Sequence, residues 1–431
     1  MLVVGCVVWV GVPAAATELK DGEVIGKDNA ASVRELLPVE IYQHYVKGEY
    51  QNSYFDLSKP NLHSPLHPPV FRAATEANRG RYALTPENSI VYTDGKDPGF
   101  ITGFPFPDID INDPQAGPKV VWNYFYNWWF NGNGHFYNEL VWVNRSGIDR
   151  AVVAEALFMY YQSAPEAKDL PNPLKLYQRS KTLVRSPADL HGTAALSWRF
   201  KDPQARDQNW TYVPALRRVR AVSPANRSDG FLGSDLAQDD GQYFDGKPED
   251  FEWKLVGETE QLVLADAASY RGDVELRAVP GGGWRTIWDE RPWVGYETPG
   301  WTGLKWAPTE AVLVKRPFWV IEGVPKDRYY LFGKLVLRFD RDTYRGYWAS
   351  KYDWKGALLA SYQVQNGAFH TPDGGEHWFT AARSVYQTAE NVKLDRATTV
   401  RFTRSPETPA DYKVPLRPEE FAPDWLVRSG K

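Results

Sequence analysis

The first residues whose types and spacing could do chemistry form an acidic run, with Asp108, Asp110, Asn112 and Asp113 close together. Carboxylate and amide oxygens at alternating positions are the ligands of a calcium-binding loop. Such a loop needs a glycine at its sixth position and a bidentate glutamate at its twelfth, whereas this chain has Asp113 and Lys119 there. The run therefore predicts a turn and no metal site.

Two histidines, His63 and His67, have the spacing of zinc ligands on one face of a helix. Prolines lie between and directly after them, at Pro65, Pro68 and Pro69, and argue against a helix there. We therefore expect both histidines to lie in an exposed loop. The sequence predicts neither a metal nor a cofactor.

Motifs for nucleophilic, phosphate-binding and zinc-dependent catalysis are missing from the sequence, which has no HExxH, GxSxG or Walker pattern. The glycine run at 281–283 is not followed by the Lys-Ser/Thr pair of a phosphate loop, so it predicts a hairpin turn. Cys6 is the only cysteine, and without it no thiol is available for a disulfide or for thiolate catalysis. We therefore predict that the protein is not an enzyme.

Charged side chains of both signs are concentrated between Trp210 and Asp240. Residues 210–216 alternate as a strand does, and Pro214 would mark an edge, a bulge or a strand end. The following charges are expected to form a structural ion-pair network, in preference to a headgroup site. They are Arg217, Arg218 and Arg220 on one side, and Asp229, Asp235 and Asp239 on the other. On that interpretation, replacing Arg218 or Asp235 destabilises the protein.

The composition favours a large β-rich protein and argues against a nucleic-acid partner. Of the 431 residues 43% are hydrophobic and 14% aromatic, with 18 Trp and 24 Tyr, and flat, stiff rings suit a pleated surface. The formal net charge of −4 leaves no excess of Lys and Arg to displace counterions from phosphates. Beyond residue 16, no apolar run is long enough for a membrane-spanning helix.

Residues 1–16 have the pattern of a secretory signal peptide, although a positively charged start is missing. The apolar run is too short for a spanning helix and ends in three alanines, as a cleavage site does. A competing interpretation makes Cys6 the acylated residue of an outer-membrane lipoprotein, but few residues precede it. We expect an exported mature chain, 17–431, that forms one large β domain with irregular N- and C-terminal extensions.

Hydrophobic periodicity predicts many strands and few helices. The best helix candidate is 30–50, which Pro38 would interrupt. Alternating aromatic residues at 120–127 predict a strand with Trp122, Tyr124 and Tyr126 on one face. Further strands are predicted at 139–143, 150–161, 182–187, 193–200, 250–256, 261–264, 329–340, 344–353 and 357–365. Strands separated by short turns favour an antiparallel meander, and the segment from Ser405 is expected to wrap irregularly over the body.

The stretch from Trp210 resembles the signature of bacterial outer-membrane lipoprotein-sorting-like (LolA/LolB-like) proteins, and more narrowly of the periplasmic family called domain of unknown function 1329. The residues that carry the resemblance are W-x-Y-x-P-A-x-R-R-V-R at 210–220, then Ser228, Asp229, Phe231, Gly233, Ser234 and Asp235. Two other segments agree, the GFPFP run at 103–107 that leads to Trp122-Asn123, and the later pairs Asp342-Thr343 and Tyr352-Asp353 with Gly356. The chain departs from the family pattern after the LTPE sequence at 84–87.

The resemblance implies a mainly β fold, a large curved antiparallel sheet forming an incomplete β-barrel whose apolar cavity is closed by a few helices that act as plug or lid. It also implies a periplasmic carrier for a hydrophobic, lipid-like ligand, with an exporter of the resistance-nodulation-division type and an outer-membrane protein as expected partners. The predicted ligand-binding residues are Trp122, Tyr124, Tyr126, Trp210, Tyr212 and Phe231. The predicted structural signature is Pro214, Arg217, Arg218, Arg220, Asp229, Gly233, Ser234 and Asp235.

Two alternatives stay open at this point. The aromatic residues could simply fill a large core. Exposed Trp and Tyr also stack on sugars, and carboxylates are plentiful, so an exported carbohydrate-binding protein or hydrolase is the competing function.

Overall fold

Strands make up most of the regular structure. The computed structural model describes residues 18–58, 67–127, 132–223, 227–271, 274–287, 294–370, 380–402 and 410–429. Within these ranges the strands are β1 (Val24–Ile25), β2 (Asn52–Phe55), β3 (Tyr82–Leu84), β4 (Ile90–Tyr92), β5 (Gly134–Asn144), β6 (Gly147–Tyr160), β7 (Leu176–Ser186), β8 (Ala194–Phe200), β9 (Gln208–Val213), β10 (Arg218–Val222), β11 (Phe251–Asp266), β12 (Glu275–Ala278), β13 (Trp284–Ile287), β14 (Ala311–Pro325), β15 (Lys334–Asp340), β16 (Gly346–Tyr352), β17 (Leu358–His370), β18 (Thr380–Asn391), β19 (Arg396–Phe402) and β20 (Ala410–Tyr412). The helices are α1 (Val39–Val46), α2 (Pro69–Ala77), α3 (Ala116–Phe125), α4 (Ala267–Arg271) and α5 (Asp424–Ser429). The predicted mainly β fold is confirmed.

Two antiparallel meanders form the body of the large sheet. The first runs from β5 to β10 and the second from β14 to β19, each strand pairing with the next along the chain. Strand β19 pairs with β5 and joins the two meanders edge to edge. The hairpins predicted around residues 341–343 and 354–356 lie within the second meander, and the one at 281–283 connects β12 to β13.

The sheet curls back on itself without closing into a barrel. Strand β11 pairs with β14 along its length, yet Ala265 of β11 also bridges to Asn366 of β17. In a flat sheet these two strands would be four positions, roughly 19 Å, apart. This bridge and the pairing of β2 with β14 are parallel, whereas the meander pairs are antiparallel. The predicted strongly curved, mostly antiparallel sheet is thus confirmed.

The predicted helix at 30–50 is divided where its proline lies. A 3₁₀ helix covers Ala30–Leu36, and α1 begins directly after Pro38. Proline has no backbone N–H to donate and suits a helix start. Ile41 and Tyr45 of α1 pack with Val33 in one buried cluster against the sheet, so these helices cover one of its faces.

The segment 120–127 was predicted as a strand, and that prediction is wrong, because α3 spans Ala116–Phe125. All its residues except Lys119 are buried, so the helix has no polar face to give a period of 3.6. The alternation of aromatic residues then imitates a strand. A Cβ atom added at Gly117 would lie 3.0 Å from the backbone of Leu255, so glycine allows α3 to lie close against β11.

The C-terminal segment covers the outer face of the first meander. Phe421 and Leu426 pack on Met159, Leu196 and Tyr212 in a buried cluster. The predicted wrap over the body is therefore found for 410–429, but it contains β20 and α5 and is not wholly irregular.

Asn123 of α3 clamps the Phe-Pro segment that the resemblance singled out. The backbone N–H of Phe106 donates to Asn123 Oδ1 at 3.0 Å, and Asn123 Nδ2 donates to the Phe106 carbonyl at 2.8 Å. Asn123 is fully buried, so no water can replace these bonds.

We expect Asn123→Leu to lower the free energy of unfolding by about 2–4 kcal/mol, because it leaves the buried N–H and C=O of Phe106 without partners. Urea unfolding would measure the change. Asn112→Leu, in the exposed turn before α3, is the matched control and should change stability by less than about 0.5 kcal/mol. Equal effects of the two substitutions would contradict the clamp.

Candidate ligand-binding cavity

A cavity of about 310 Å³ lies between the inner face of the first meander and the segments that cover it. Its floor comes from strands β5 to β9, and its cover from α3 and the segment 227–245, here called the covering segment. The lining residues are Tyr124, Phe125, Phe136, Asn138, Leu140, Ala154, Ala156, Phe158, Tyr160, Tyr177, Gln178, Ser180, Thr182, Ser197, Asn209, Arg227, Phe231, Leu236, Ala237, Gln238, Gly241, Gln242, Phe244, Asp245, Gln387 and Val400. Pockets of this size hold small ligands in proteins.

Successive side chains of a strand point to opposite faces of the sheet, and this alternation decides which residues form the floor of the cavity. Every second residue of β6 faces the cavity, including Ala154, Ala156 and Phe158, while Met159 packs in the buried cluster on the outer face. Strands β5 and β6 contribute mainly apolar side chains. Strands β7 to β9 contribute uncharged polar ones, so the floor changes from apolar to polar across the sheet.

Two tyrosines hold the cover in place on the helix side. Tyr177 Oη of β7 donates to the Phe125 carbonyl of α3 at 2.8 Å. Tyr124 Oη accepts from the backbone N–H of Phe244 at 3.1 Å, which connects α3 to the covering segment. Helix, sheet and covering segment are thereby fixed to one another at the cavity wall.

Buried ion pairs hold the covering segment on the sheet. The Arg227 cluster consists of Arg199, Asp207, Arg227, Asp239, Asp245 and Lys247. Arg199 Nε donates to Asp207 Oδ2 at 3.1 Å, and Arg227 Nη1 donates to the same oxygen at 3.0 Å. Arg199 Nη1 also donates to Asp245 Oδ1 at 2.7 Å, and Arg227 pairs with Asp239. Burial alone would lower the pKa of Arg199, but the surrounding aspartates raise it.

The predicted network between the arginines of 217–220 and the following aspartates is wrong. Arg217, Arg218 and Arg220 are exposed, and replacing Arg218 is not expected to destabilise the protein. Asp239 pairs with Arg227, and Asp235 is bound by Arg396 of β19, whose Nη2 donates to Oδ1 at 3.0 Å. Asp235 and Asp239 were correctly placed in ion pairs, but with Arg396 and Arg227 in place of the arginines at 217–220, and no ion pair of Asp229 is found among the described residues.

The other signature residues shape the backbone. Pro214 begins a 3₁₀ turn between β9 and β10, so the predicted strand irregularity is a hairpin connection. The Asp229 carbonyl accepts from the N–H of Gln238 at 3.2 Å. Gly233 has a φ of +74°, which suits glycine, and Ser234 Oγ accepts from the N–H of Leu236 at 3.2 Å. These bonds fold the covering segment into a compact loop.

The six predicted ligand-binding residues are not brought together. Tyr124 and Phe231 line the cavity. Trp122 of α3 and Tyr126, directly after the helix, line a second cavity of about 520 Å³, whose wall also includes Phe125. Trp210 and Tyr212 lie on the outer face of β9 beside Phe421 and Leu426, so the prediction that they reach the cavity is wrong. Ligand binding by any of the six stays a prediction.

Sequence reasoning missed most of the floor. The alternation in β5 and β6 was a sufficient signal for Phe136, Leu140, Ala156 and Phe158, since it puts them on one face. Which face is concave depends on pairings between distant strands.

The second cavity holds a titratable group that sequence reasoning also missed. Glu249 is buried, and burial raises its pKa to about 7 in spite of nearby Lys247. Ser89 Oγ donates to its Oε1 at 3.3 Å. Glu249 is therefore a carboxyl group that exchanges its proton near neutral pH.

The candidate metal residues have other roles. The acidic run forms a turn before α3, as predicted, in which Lys119 Nζ lies 2.5 Å from Asp113 Oδ2. His67 is only 7% exposed, and its Nε2 lies 2.8 Å from Asn127 Oδ1. The exposed-loop prediction is therefore wrong for His67, while His63 lies outside the described residues. In the part of the chain that the structure describes, no group of three or more His, Cys, Asp and Glu could hold a metal ion.

No helix within the described ranges is both long and apolar enough to cross a membrane. The candidate signal peptide, residues 1–16, and Cys6 lie outside those ranges.

Comparisons with known proteins identify relatives of this fold. The sequence model of the family described as "Protein of unknown function (DUF1329)" matches residues 24–426. A search of curated proteins gives no significant match.

Several solved structures are similar in fold. A putative outer membrane lipoprotein-sorting protein domain from Vibrio parahaemolyticus is 17% identical, with a TM-score of 0.48 over 73% of this chain and 100% of that one. A DUF1329 family protein from Desulfovibrio piger is 16% identical, with a TM-score of 0.44 over 68% and 91% of the two chains. A LolA superfamily protein from Nitrosomonas europaea is 12% identical, with a TM-score of 0.37 over 68% and 92%.

We expect Arg227→Met to lower the free energy of unfolding by about 3–5 kcal/mol, because it leaves Asp207 and Asp239 buried without their shared cation. Urea unfolding would measure the loss, and amide hydrogen exchange should rise within 227–245. Arg220→Met, at an exposed arginine of β10, is the matched control and should leave both measurements unchanged. Equal unfolding free energies for the two variants would show that the cluster does not stabilise the protein.

We expect Glu249→Gln to stabilise the protein at alkaline pH and not at acidic pH. The folded-state pKa of about 7 lies above the ordinary 4.5, so ionisation costs native stability progressively as pH rises from about 4.5 through 7, by roughly 3 kcal/mol in total. The difference in unfolding free energy between variant and wild type should grow across that window and level off above it. Glu252→Gln, on the exposed side of β11, is the control. A pH-independent difference would contradict the raised pKa.

Proposed function

The chain belongs to the family of proteins of unknown function called DUF1329, and on that premise we propose that it is a binding or carrier protein for a hydrophobic, lipid-like ligand. The observation that carries the proposal is the cavity of about 310 Å³, whose wall includes Phe136, Phe158 and Phe231. Concave, mostly apolar sites with a few polar groups are the usual form of small-molecule sites. A core that only filled space would be close-packed, without such a volume.

The apolar part of the wall supplies a sufficient driving force. Burying roughly ten methylene groups contributes about 8 kcal/mol at about 0.8 kcal/mol each. Association costs at least about 4 kcal/mol in lost translational and rotational freedom. An alkyl chain in this cavity would therefore be held with useful affinity and released again, as a carrier requires.

We propose binding and not catalysis as the role of the cavity. Of the described residues that line it, Asp245 supplies the carboxylate, and Arg199 already binds that group at 2.7 Å. A glycosidase needs two carboxyl groups that face each other across the substrate. The described residues of this cavity therefore do not supply the pair of carboxyl groups that the competing hydrolase function needs.

We further propose that the protein acts in the periplasm, in transport between the inner and outer membranes. The support is the signal-peptide pattern of residues 1–16 and the family resemblance of the sequence. An exporter of the resistance-nodulation-division type and an outer-membrane protein are the proposed partners.

We expect the purified protein to bind the uncharged fluorescent probe phenylnaphthylamine, and to release a lipid on organic extraction analysed by mass spectrometry. Ala156→Phe should weaken probe binding about tenfold or more, because the ring fills the cavity. Ala151→Phe is the matched control, since Ala151 lies on the opposite face of the same strand. Both variants need unchanged melting temperatures for the comparison. Binding of an oligosaccharide in place of the probe, or binding indifferent to Ala156→Phe, would overturn the proposal.

A further inference from the structure

We propose that the cavity selects a neutral amphiphile whose headgroup carries hydroxyl or amide groups, and that it rejects ligands with a free anionic headgroup. This inference rests on the proposed function, because it names the ligand class for the same cavity. Three features of the wall carry it: its change in polarity, its unused hydrogen-bonding groups and its balanced charge.

The polarity of the floor changes along a single row of neighbouring residues. Phe158 of β6 pairs with Ser180 of β7, which pairs with Ser197 of β8, which pairs with Asn209 of β9. At about 4.8 Å per strand, the row leads from an aromatic ring to an amide over roughly 14 Å. A ligand lying along the row would place its chain over β5 and β6 and its headgroup over β7 to β9.

The polar half has hydrogen-bonding capacity that the protein does not use. Within the part of the chain that the structure describes, the side chains of Gln178, Ser180 and Thr182 have no hydrogen-bond partner, although all three face the cavity. Opposite them, in the covering segment, Gln242 Oε1 is buried and also has no partner among the described residues. Gln242 Oε1 is the buried atom among these, and leaving it unsatisfied is unfavourable, so a ligand that supplies a donor gains from satisfying it. Gln178, Ser180 and Thr182 are half-buried and offer further donors and acceptors to the same ligand.

The charges at the cavity leave no cation free for an anion. Arg227 and Asp245 are the charged residues among the described lining. Arg227 is bound by Asp207 and Asp239, and Asp245 by Arg199. In the whole Arg227 cluster, Arg199, Arg227 and Lys247 stand against Asp207, Asp239 and Asp245, so three positive charges balance three negative ones. An anionic headgroup would lose its water here without gaining a counter-charge.

The test compares three probes with the same alkyl chain: monolaurin, methyl laurate and laurate. Each is titrated against phenylnaphthylamine bound to the full protein. We expect monolaurin to displace the probe about tenfold more tightly than methyl laurate, since it adds hydroxyl groups, and laurate to bind more weakly than either. Laurate binding as tightly as monolaurin would overturn the inference. If none of the probes binds, phenylnaphthylamine included, the proposed carrier function is wrong. That outcome differs from failure of the headgroup inference, in which the probes bind without the expected order of affinity.

Variants assign the preference to named side chains. Thr182→Val and Gln242→Leu remove hydrogen-bonding groups that have no partner within the described residues, so neither should lower the melting temperature. In the double variant, the affinity for monolaurin should fall to that for methyl laurate, while methyl laurate binds as before. Gln43→Leu, on the exposed side of α1, is the control. If the double variant still binds monolaurin more tightly than methyl laurate, the side chains of Thr182 and Gln242 do not recognise the headgroup.

Discussion

The buried charges around Arg227 are the constraint on which the shape of the cavity depends. Arg227 and Asp239 belong to the covering segment, whereas Arg199 and Asp207 lie at the end of β8 and in the loop that follows it. A buried ion pair is costly to form but far costlier to leave half-made, so the segment cannot lift from the sheet without exposing several charges at once. A second buried pair, Lys351 with Asp240, holds the same segment to β16. Ion pairs therefore hold the covering segment at its polar edge, and its apolar residues form part of the cavity wall.

Helix α3 has the complementary role at the apolar edge. It is buried except at Lys119 and separates the cavities of about 310 and 520 Å³, with Phe125 on the wall of both. Its position depends on the close approach of Gly117 to β11 and on the Tyr177 hydrogen bond to the Phe125 carbonyl. Its aromatic residues Trp122, Tyr124 and Phe125 pack in the largest buried cluster, together with residues of the sheet and of the covering segment. Its contacts fix how much of the inner sheet face remains open to a ligand.

The sequence predicted the parts of this structure whose signals are local. Strand periodicity located β5 to β9 and β15 to β17, Pro38 divided the first helix, and the glycine run at 281–283 forms a turn, whereas β10, β14, β18 and β19 were not predicted. The errors have a physical cause in each case. Helix α3 was taken for a strand because a helix buried all round has no polar face, and Trp210 and Tyr212 were placed on the wrong side because alternation does not say which face is concave. The partner of Asp235 could not be read from the sequence, since Arg396 lies far along the chain. Arg227, the partner of Asp239, was overlooked because it stands alone, outside the arginine run at 217–220.

The stretch from Trp210 to Asp240 connects the two faces of the sheet, and this explains why it carries scaffold and cavity residues together. Its first part, β9 and β10, presents Trp210 and Tyr212 to the C-terminal helix on the outer face. Its last part lies on the inner face and brings Phe231 and Ala237 to the cavity. Because Asp235 is bound to Arg396 of β19, where the two meanders meet, a change in the pairing of the meanders would also move the cover. The sheet and the cavity are thus coupled through one segment, so variants of the cavity have to be judged against the stability of the whole sheet.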